Sequence, residues 1–566
     1  MRSRIAVLAV LVVSALALFA PAGARAAQPP CDLLFTGGRI VDGTGAPWFR
    51  ADLCVIGEKI AAIGQLGERP AKRRIDAAQL MLAPGFIDML GQSEYNVLVD
   101  NRAASKITQG ITTELTGEGS AIAPTDRRMI DEGNEVWQRY GVRPTWTTLR
   151  QYFEAFRKAR PTINLGTFVG AGGVRNLVIG ETDRPATPAE IEKMKAIVAA
   201  AMEDGAFGLS TSLQYVPDRF ASTEEIVELA RVVARYGGSY ITHQRSESYE
   251  IDSSLDEVFR IAAEARIPAE IYHLKTACQA NFGRMGHVLE RIEDARARGL
   301  DVSADQYPYL AGENGLDANL PLWVREGGVD KEVERLKDPA ARVRIKAELA
   351  KNDPSWENQY LCAGGAKGIL IASVVNPALK KYEGRFLDEI AASEKKDPLD
   401  ALMDIVAADR AHTANIIFIM DEADVKLALR HPLVSLDTDA PAVAEDGIFS
   451  QEKSHPRAWG STARILGHYV RDEKLMPIEE AVRKMTSLPA TRMGLAERGI
   501  LRPGMFADLV AFDPATIADR STYADPLHYS AGIPYVAVNG ELVVDQGRIT
   551  DARPGQVLLG PGARPR

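Results

Sequence analysis

Cysteine is scarce in this chain: there are four in 566 residues, and no Cys-x-x-Cys pair among them. That excludes a disulfide-stapled scaffold and a structural zinc site built from thiolates. Cys31 and Cys54 still fall on what read as neighbouring strands, which an oxidising compartment would join; Cys278 and Cys362 read as buried thiols. Basic runs are also missing. The formal net charge is -9 and no Lys/Arg-rich stretch occurs beyond the termini, so nucleic-acid binding is not expected. Only eight histidines occur, few enough to weigh one by one.

What is present suits a large soluble protein. With 46% hydrophobic and 25% charged residues, the chain can bury an extensive core and should hold two or more structural units. The one long apolar run is at the start. Arg2 and Arg4 precede Ile5 to Ala20, and Ala22-Gly-Ala-Arg-Ala26 follows with small residues at cleavage spacing. That order is a secretory signal peptide, and the run is shorter than the roughly 20 residues a spanning helix needs. We expect export to the periplasm or medium, cleavage after Ala26 or nearby, and no stable membrane span afterwards.

From 27 to 82 short strands alternate with tight turns, and Asp52 to Ile63 reads as a hairpin around Gly57. Ala507-Asp-Leu-Val-Ala-Phe512 and Tyr535 to Val544, with Asn539-Gly540 as a turn, supply partner strands within 498–566. The ends together predict one small β-sandwich. Between them, over 83–497, strand-like and helix-like runs alternate. Phe86-Ile87, Ile111–Thr116, Asn164–Val169, Gly208–Thr211, Ser239–Thr242, Ala269–Tyr272, Val302–Ala304, Ile416–Ile419 and Leu433–Leu436 read as strands. The run 187–201 reads as a helix capped by Thr187, Pro188 and Glu190. Such alternation predicts a parallel sheet, and the count suits a (β/α)8 barrel. An open doubly wound sheet would want a Gly-rich phosphate turn after the first strand, and none is there. The stretch at about 310–377 breaks the alternation and reads as an insertion on the catalytic face.

His243 ends the strand Tyr240-Ile-Thr-His, and His273 ends Ile271-Tyr-His. Imidazoles at the C-terminal ends of consecutive barrel strands fit a zinc site. Asp439 follows Leu433-Val-Ser-Leu-Asp-Thr at another strand end, where a carboxylate can take a proton from an attacking water and return it. Asp437 is its near competitor.

Longer motifs carry a resemblance. Leu80-Met-Leu-Ala-Pro-Gly-Phe-Ile-Asp88 resembles the first barrel strand of the amidohydrolase superfamily. Thr242-His-Gln-Arg-Ser-Glu247, His273-Leu-Lys275, Asp305-Gln-Tyr-Pro-Tyr309, His455-Pro-Arg-Ala-Trp-Gly460 and Gly494-Leu-Ala-Glu-Arg-Gly499 occur in the order found in the N-acyl-D-amino-acid deacylases, or D-aminoacylases. The resemblance covers essentially all of the mature chain. It implies an amidohydrolase barrel, a zinc ion held by the residues matching His243 and His273, Asp439 as acid and base, and Lys275, Tyr307 and Arg457 around the substrate carboxylate. Two departures stand out. The His-x-His pair of the first strand is Leu90 and Gln92 here, so a second metal is expected to be weak or absent. The family's zinc-binding cysteine is also missing, and Glu118 is the ligand-capable side chain in its turn; Glu114, on the strand before, is the weaker alternative.

The expectation is an exported hydrolase of N-acyl amino acids or dipeptide-like substrates. One zinc would be held by His243, His273 and Glu118. The alternatives are a dipeptidase of the same superfamily and a metal-free relative that binds acylated ligands.

Overall fold

The computed structural model describes residues 29–353 and 356–564, so the expected signal peptide lies outside the described residues. The chain enters through β1 (Cys31–Ile40), β2 (Phe49–Ile56), β3 (Lys59–Gly64), β4 (Ala71–Asp76) and β5 (Met81–Pro84). The hairpin at Gly57 is present, joining β2 to β3.

Eight strand positions then form the barrel. They are β6 (Phe86–Asp88), β7 (Ile111–Thr116), β8 with β9 (Asn164–Thr167 and Val169–Gly170), β10 (Gly208–Ser212), β11 (Ser239–His243), β12 (Ala269–Ile271), β13 (Val302–Gln306) and, after an insertion, β17 (Val434–Leu436). Neighbours pair in parallel throughout, with β8 on β7 and β9 on β10. The ring closes where Gly91 bridges Ala440 and the Asp439 N–H donates to the Leu90 carbonyl at 2.9 Å. These strands are almost wholly buried, their Ser, Thr and Glu side chains as well as their apolar ones. The outer helix Pro188–Asp204 starts as its sequence predicts: Thr187 and Glu190 cap each other reciprocally, and Gly205 ends it in a left-handed turn.

The insertion is longer than predicted. It contains β14 (Ala311–Gly315), β15 (Ile369–Ser373) and β16 (Ala414–Phe418), an antiparallel sheet in the order β14-β16-β15, and it runs on to about residue 421 rather than 377. Ile416–Ile419 is therefore not a barrel strand. The misreading has a physical cause. Ile416 packs on one side with Ala311, Leu370 and Ala372, and Ile417 on the other with the main core, so both faces are apolar, as in a barrel strand.

The chain ends with β18 (Leu509–Phe512), β19 (Tyr535–Val538), β20 (Glu541–Asp545) and β21 (Arg548–Ile549). β18 pairs with β5, so both termini join in one nine-stranded sheet around a core that includes Phe35, Leu53, Ile60 and Leu509. Cys31 and Cys54 form a disulfide between β1 and β2. Cys278 and Cys362 are not thiols as expected but a second disulfide, tying the loop after β12 to the insertion. Their separation of 84 residues hid the pairing.

Candidate active site

The barrel's C-terminal rim brings the sequence-predicted residues to one cavity of about 260 Å³. His243 is the last residue of β11; His273 lies just past β12, and Asp439 just past β17. His273 and Asp439 have φ values of +34° and +45°, a left-handed backbone that side chains with a Cβ adopt at some cost. Local contacts hold both bends. The His273 N–H donates to the Asp305 carboxylate, and Asp439 is held by Leu90 as described.

Glu118, His243 and His273 form a small triangle. His243 Nδ1 is 3.0 Å from His273 Nε2, and Glu118 Oε1 is 3.2 Å from the first nitrogen and 3.6 Å from the second. Bonds of about 2.0–2.1 Å to a tetrahedral zinc separate its ligand atoms by about 3.3 Å, so the donor set and its spacing fit that ion. Glu118 supplies the third donor of the set. Glu114 does not take part: it is buried beneath, bonded to Ser93 Oγ at 2.9 Å.

The atoms behind the triangle orient it. His243 Nε2 meets Gln214 Oε1 at 2.5 Å, which fixes the proton there and leaves Nδ1 bare. Glu118 accepts from Gln92 Nε2 at 2.7 Å and from Ser212 Oγ at 3.1 Å, and Gln92 also reaches Asp439 Oδ1 at 3.4 Å. On the far side of His273, Nδ1 lies 3.1 Å from Glu247 Oε1 and 2.8 Å from Lys275 Nζ, which itself pairs with Glu247 at 2.7 Å. Reading the sequence missed Glu247 and Gln214. Glu247 stands in the quoted Thr-His-Gln-Arg-Ser-Glu motif, which was the available signal.

The triangle attracts positive charge. Burial and the Lys275 ammonium push the His273 ring down, yet the Glu247 and Glu118 carboxylates outweigh them and hold its pKa up at about 10. Burial works against the Glu118 charge, but both imidazoles together hold its pKa well below the usual range. At neutral pH the metal-free site therefore keeps a proton on His273. Zinc has to displace it, so binding should release about one proton, and apparent affinity should rise about tenfold per pH unit below 10. Calorimetry in buffers of different ionisation enthalpy measures the release. Zero protons at neutral pH would show that the metal-free ring is neutral.

Asp439 and Asp437 separate cleanly. Asp439 lines the cavity, whereas Asp437 points away to Asp305. Neither oxygen of Asp437 and only one of Asp305 finds a donor, so a proton must lie between the two carboxyls. Burial, helped by the Asp439 charge, raises Asp437 to about 7 although its hydrogen bond with Asp305 pulls it down. Burial and the Asp437 pairing push Asp305 well above the carboxylate range.

Arg457 is buried beside Asp439, with Nη1 2.8 Å from Oδ2, and its guanidinium lies 4.7 Å from the Tyr307 ring centre. The ion pair is close but not aligned as a hydrogen bond, and Nε has no partner either. A buried guanidinium whose Nε has no partner, and whose Nη1 meets Asp439 without a hydrogen bond, has donor capacity left for an incoming carboxylate. Lys275 and Tyr307 line the same cavity.

Leu90 and Gln92 have different fates. The Leu90 side chain is core, packed with Ile87, Leu115 and Phe168, while Gln92 bridges Glu118 and Asp439. Gly91 between them leaves room for the Glu114 carboxylate, which any Cβ placed there would strike.

Comparison with known proteins finds a family match and several relatives. The profile described as "Amidohydrolase family" matches residues 73–544. A D-aminoacylase from Alcaligenes xylosoxydans xylosoxydans is 37% identical, over 94% of this chain and 98% of that protein. The crystal structure of an N-acyl-D-glutamate deacylase from Bordetella bronchiseptica, with zinc and a phosphonate mimic of the tetrahedral intermediate, superposes with a TM-score of 0.79 at 34% identity, covering 94% of this chain and all of that one. A D-aminoacylase studied for one-metal activation and second-metal attenuation of its binuclear centre gives a TM-score of 0.77 at 36% identity, over 94% and 100% of the two chains.

Proposed function

This chain belongs to the amidohydrolase family, among the N-acyl-D-amino-acid deacylases, and we propose that it hydrolyses the amide of N-acyl amino acids with one zinc ion held by Glu118, His243 and His273. The observation that carries the reading is the triangle of ligand atoms, which shares one cavity with Asp439 and the Arg457 guanidinium. A zinc ion there would supply a water ionising near neutral pH and would polarise the scissile carbonyl.

The chain's own residues do the rest. Asp439 takes the proton of the attacking water and gives it to the departing amine. Gln92, bonded to both Asp439 and Glu118, keeps base and ligand in register. Arg457, Lys275 and Tyr307 fix the substrate's carboxylate, which orients the amide toward Asp439. Leu90 removes one arm of a second metal site, and Gln92 replaces the other with a neutral amide. The D-aminoacylase described by one-metal activation supports a single working ion.

Export is part of the proposal. The N-terminal pattern supports it, as do two disulfides, which persist in oxidising compartments.

Metal analysis of the purified protein, with N-acetyl-D- and N-acetyl-L-amino acids and dipeptides as substrates, tests the reading. We expect about one zinc per chain and turnover of the N-acetyl-D series. No zinc, and no activity on adding it, would favour a binding protein; hydrolysis confined to dipeptides would favour a dipeptidase.

A further inference from the structure

One charged group in the cavity is used by nothing above. Glu313 sits in mid-β14, on the insertion, and lines the same space as the metal triangle. The polar side chains beside it already satisfy one another. Asn314 Nδ2 donates to Tyr215 Oη and Gln359 Oε1, both at 3.0 Å, and Asn314 Oδ1 accepts from Asn415 at 2.8 Å. The Glu313 carboxylate accepts only the His455 backbone N–H, and among the described residues no Lys, Arg or His side chain forms an ion pair with it. Arg457 is the nearest cation. It touches the Glu313 carbonyl at 3.4 Å, not the carboxylate, and faces Asp439 instead. Glu313 is half-buried on the cavity wall; desolvation raises its pKa while Arg457 pulls it down, so a cationic partner there would stabilise its charge.

Charge balance says what the partner is. Lys275 and Arg457 face Glu118, Glu247, Asp439 and Glu313 across the cavity. A divalent ion on the triangle brings this set to neutrality. Without Glu313 the set would carry one excess positive charge, which a substrate with a single carboxylate cancels. With Glu313 the complementary substrate carries a cation as well. Ile417 and Ile419, also on this wall, offer an apolar surface for a methylene stem leading to it.

We propose that Glu313 is a specificity residue that receives an ammonium or guanidinium group of the substrate, so that the preferred substrate is a zwitterionic N-acyl amino acid. This rests on the deacylase reading. The cation has two possible sources, a basic side chain of the amino acid or the free amino end of an aminoacyl group.

Ratios of kcat/KM distinguish them. Nα-acetyl-lysine against Nα-acetyl-norleucine reads the side chain, and alanyl-norleucine against Nα-acetyl-norleucine reads the amino end, each in both configurations. We expect the cationic member of one pair to be preferred by about 10–100-fold, the worth of a charge-assisted hydrogen bond in a partly dry site. Glu313→Gln should bring that ratio close to one, chiefly through KM, and Glu313→Asp should keep most of it. A ratio near one in the wild type, or one unchanged in Glu313→Gln, overturns the proposal. Binding of lysine against norleucine to the zinc-loaded protein, and of alanyl-norleucine against acetyl-norleucine where neither is hydrolysed, reads the same preference separately from turnover. Preference without turnover would overturn the deacylase reading and keep Glu313's role. Turnover without preference would do the reverse, and absence of both would overturn both.

Discussion

Asp439→Asn is expected to lower kcat by about 10²–10⁴-fold while the protein keeps its zinc, and His243→Ala is expected to lose zinc and turnover together. The two residues are close in space but hold different atoms. His243 contributes one of three ligand atoms, and its other nitrogen is anchored by Gln214 at 2.5 Å. Truncation leaves Glu118 and His273, too few for a closed site. Asp439 is outside the triangle and touches it only through Gln92, so an amide in its place removes a proton acceptor and little else. It also removes the counter-charge of Arg457, which at present is 2.8 Å away. The substrate's carboxylate then meets a less neutralised guanidinium, so KM should stay level or fall as kcat drops. A fall in kcat below tenfold would remove Asp439 from the proton path. Full zinc and full rate in His243→Ala would dismantle the triangle.

These assignments were legible because a barrel puts the ends of its strands in one place. His243, His273 and Asp439 each follow an apolar run, and that position alone carries them to the rim. Glu118 was readable only through the family resemblance, as the ligand-capable side chain in the turn where the family carries a cysteine. Glu247 and Gln214 were not. Their placement depends on how loops fold back after β11 and β10, and no periodicity governs a loop. The pairing of cations was equally hidden. Lys275 and Arg457 were expected to wait for a carboxylate, yet each already lies against an acid, Glu247 or Asp439. A sequence names the charges; only the fold shows which are taken. The insertion failed for the reason its β16 did, because a strand with two buried faces looks the same in any sheet.

Lys106 stayed unread for a related reason, and it leads to the largest expected loss of stability. Its side chain is fully buried under the active site, with Nζ 2.7 Å from Asp88, 3.2 Å from Glu114, and 2.8 Å from both Thr438 Oγ1 and the Ala440 carbonyl. It therefore ties β6 and β7 to the loop after β17 that carries Asp439. Lys106→Met fills the same space but strands two buried carboxylates. Breaking a buried pair in this way costs about 3–5 kcal/mol. An unfolding entropy of about 2.1 cal/mol/K per residue makes 1 kcal/mol roughly 1 °C in a chain this long, so the melting midpoint should fall by about 3–5 °C. The deficit should depend on pH. Burial already pushes Glu114 up to about 7 against the pull of Lys106. An acid whose folded pKa exceeds its unfolded value of about 4.3 loses stability as pH rises between the two. Without Lys106 the folded value moves higher still, so the variant should fall further below wild type at pH 8 than at pH 5. Adding Glu114→Gln should restore part of the loss, because one of the stranded charges is then gone. Equal melting of Lys106→Met and wild type at pH 8 would mean that water reaches these carboxylates, and that the ammonium does not hold the Asp439 loop to the barrel.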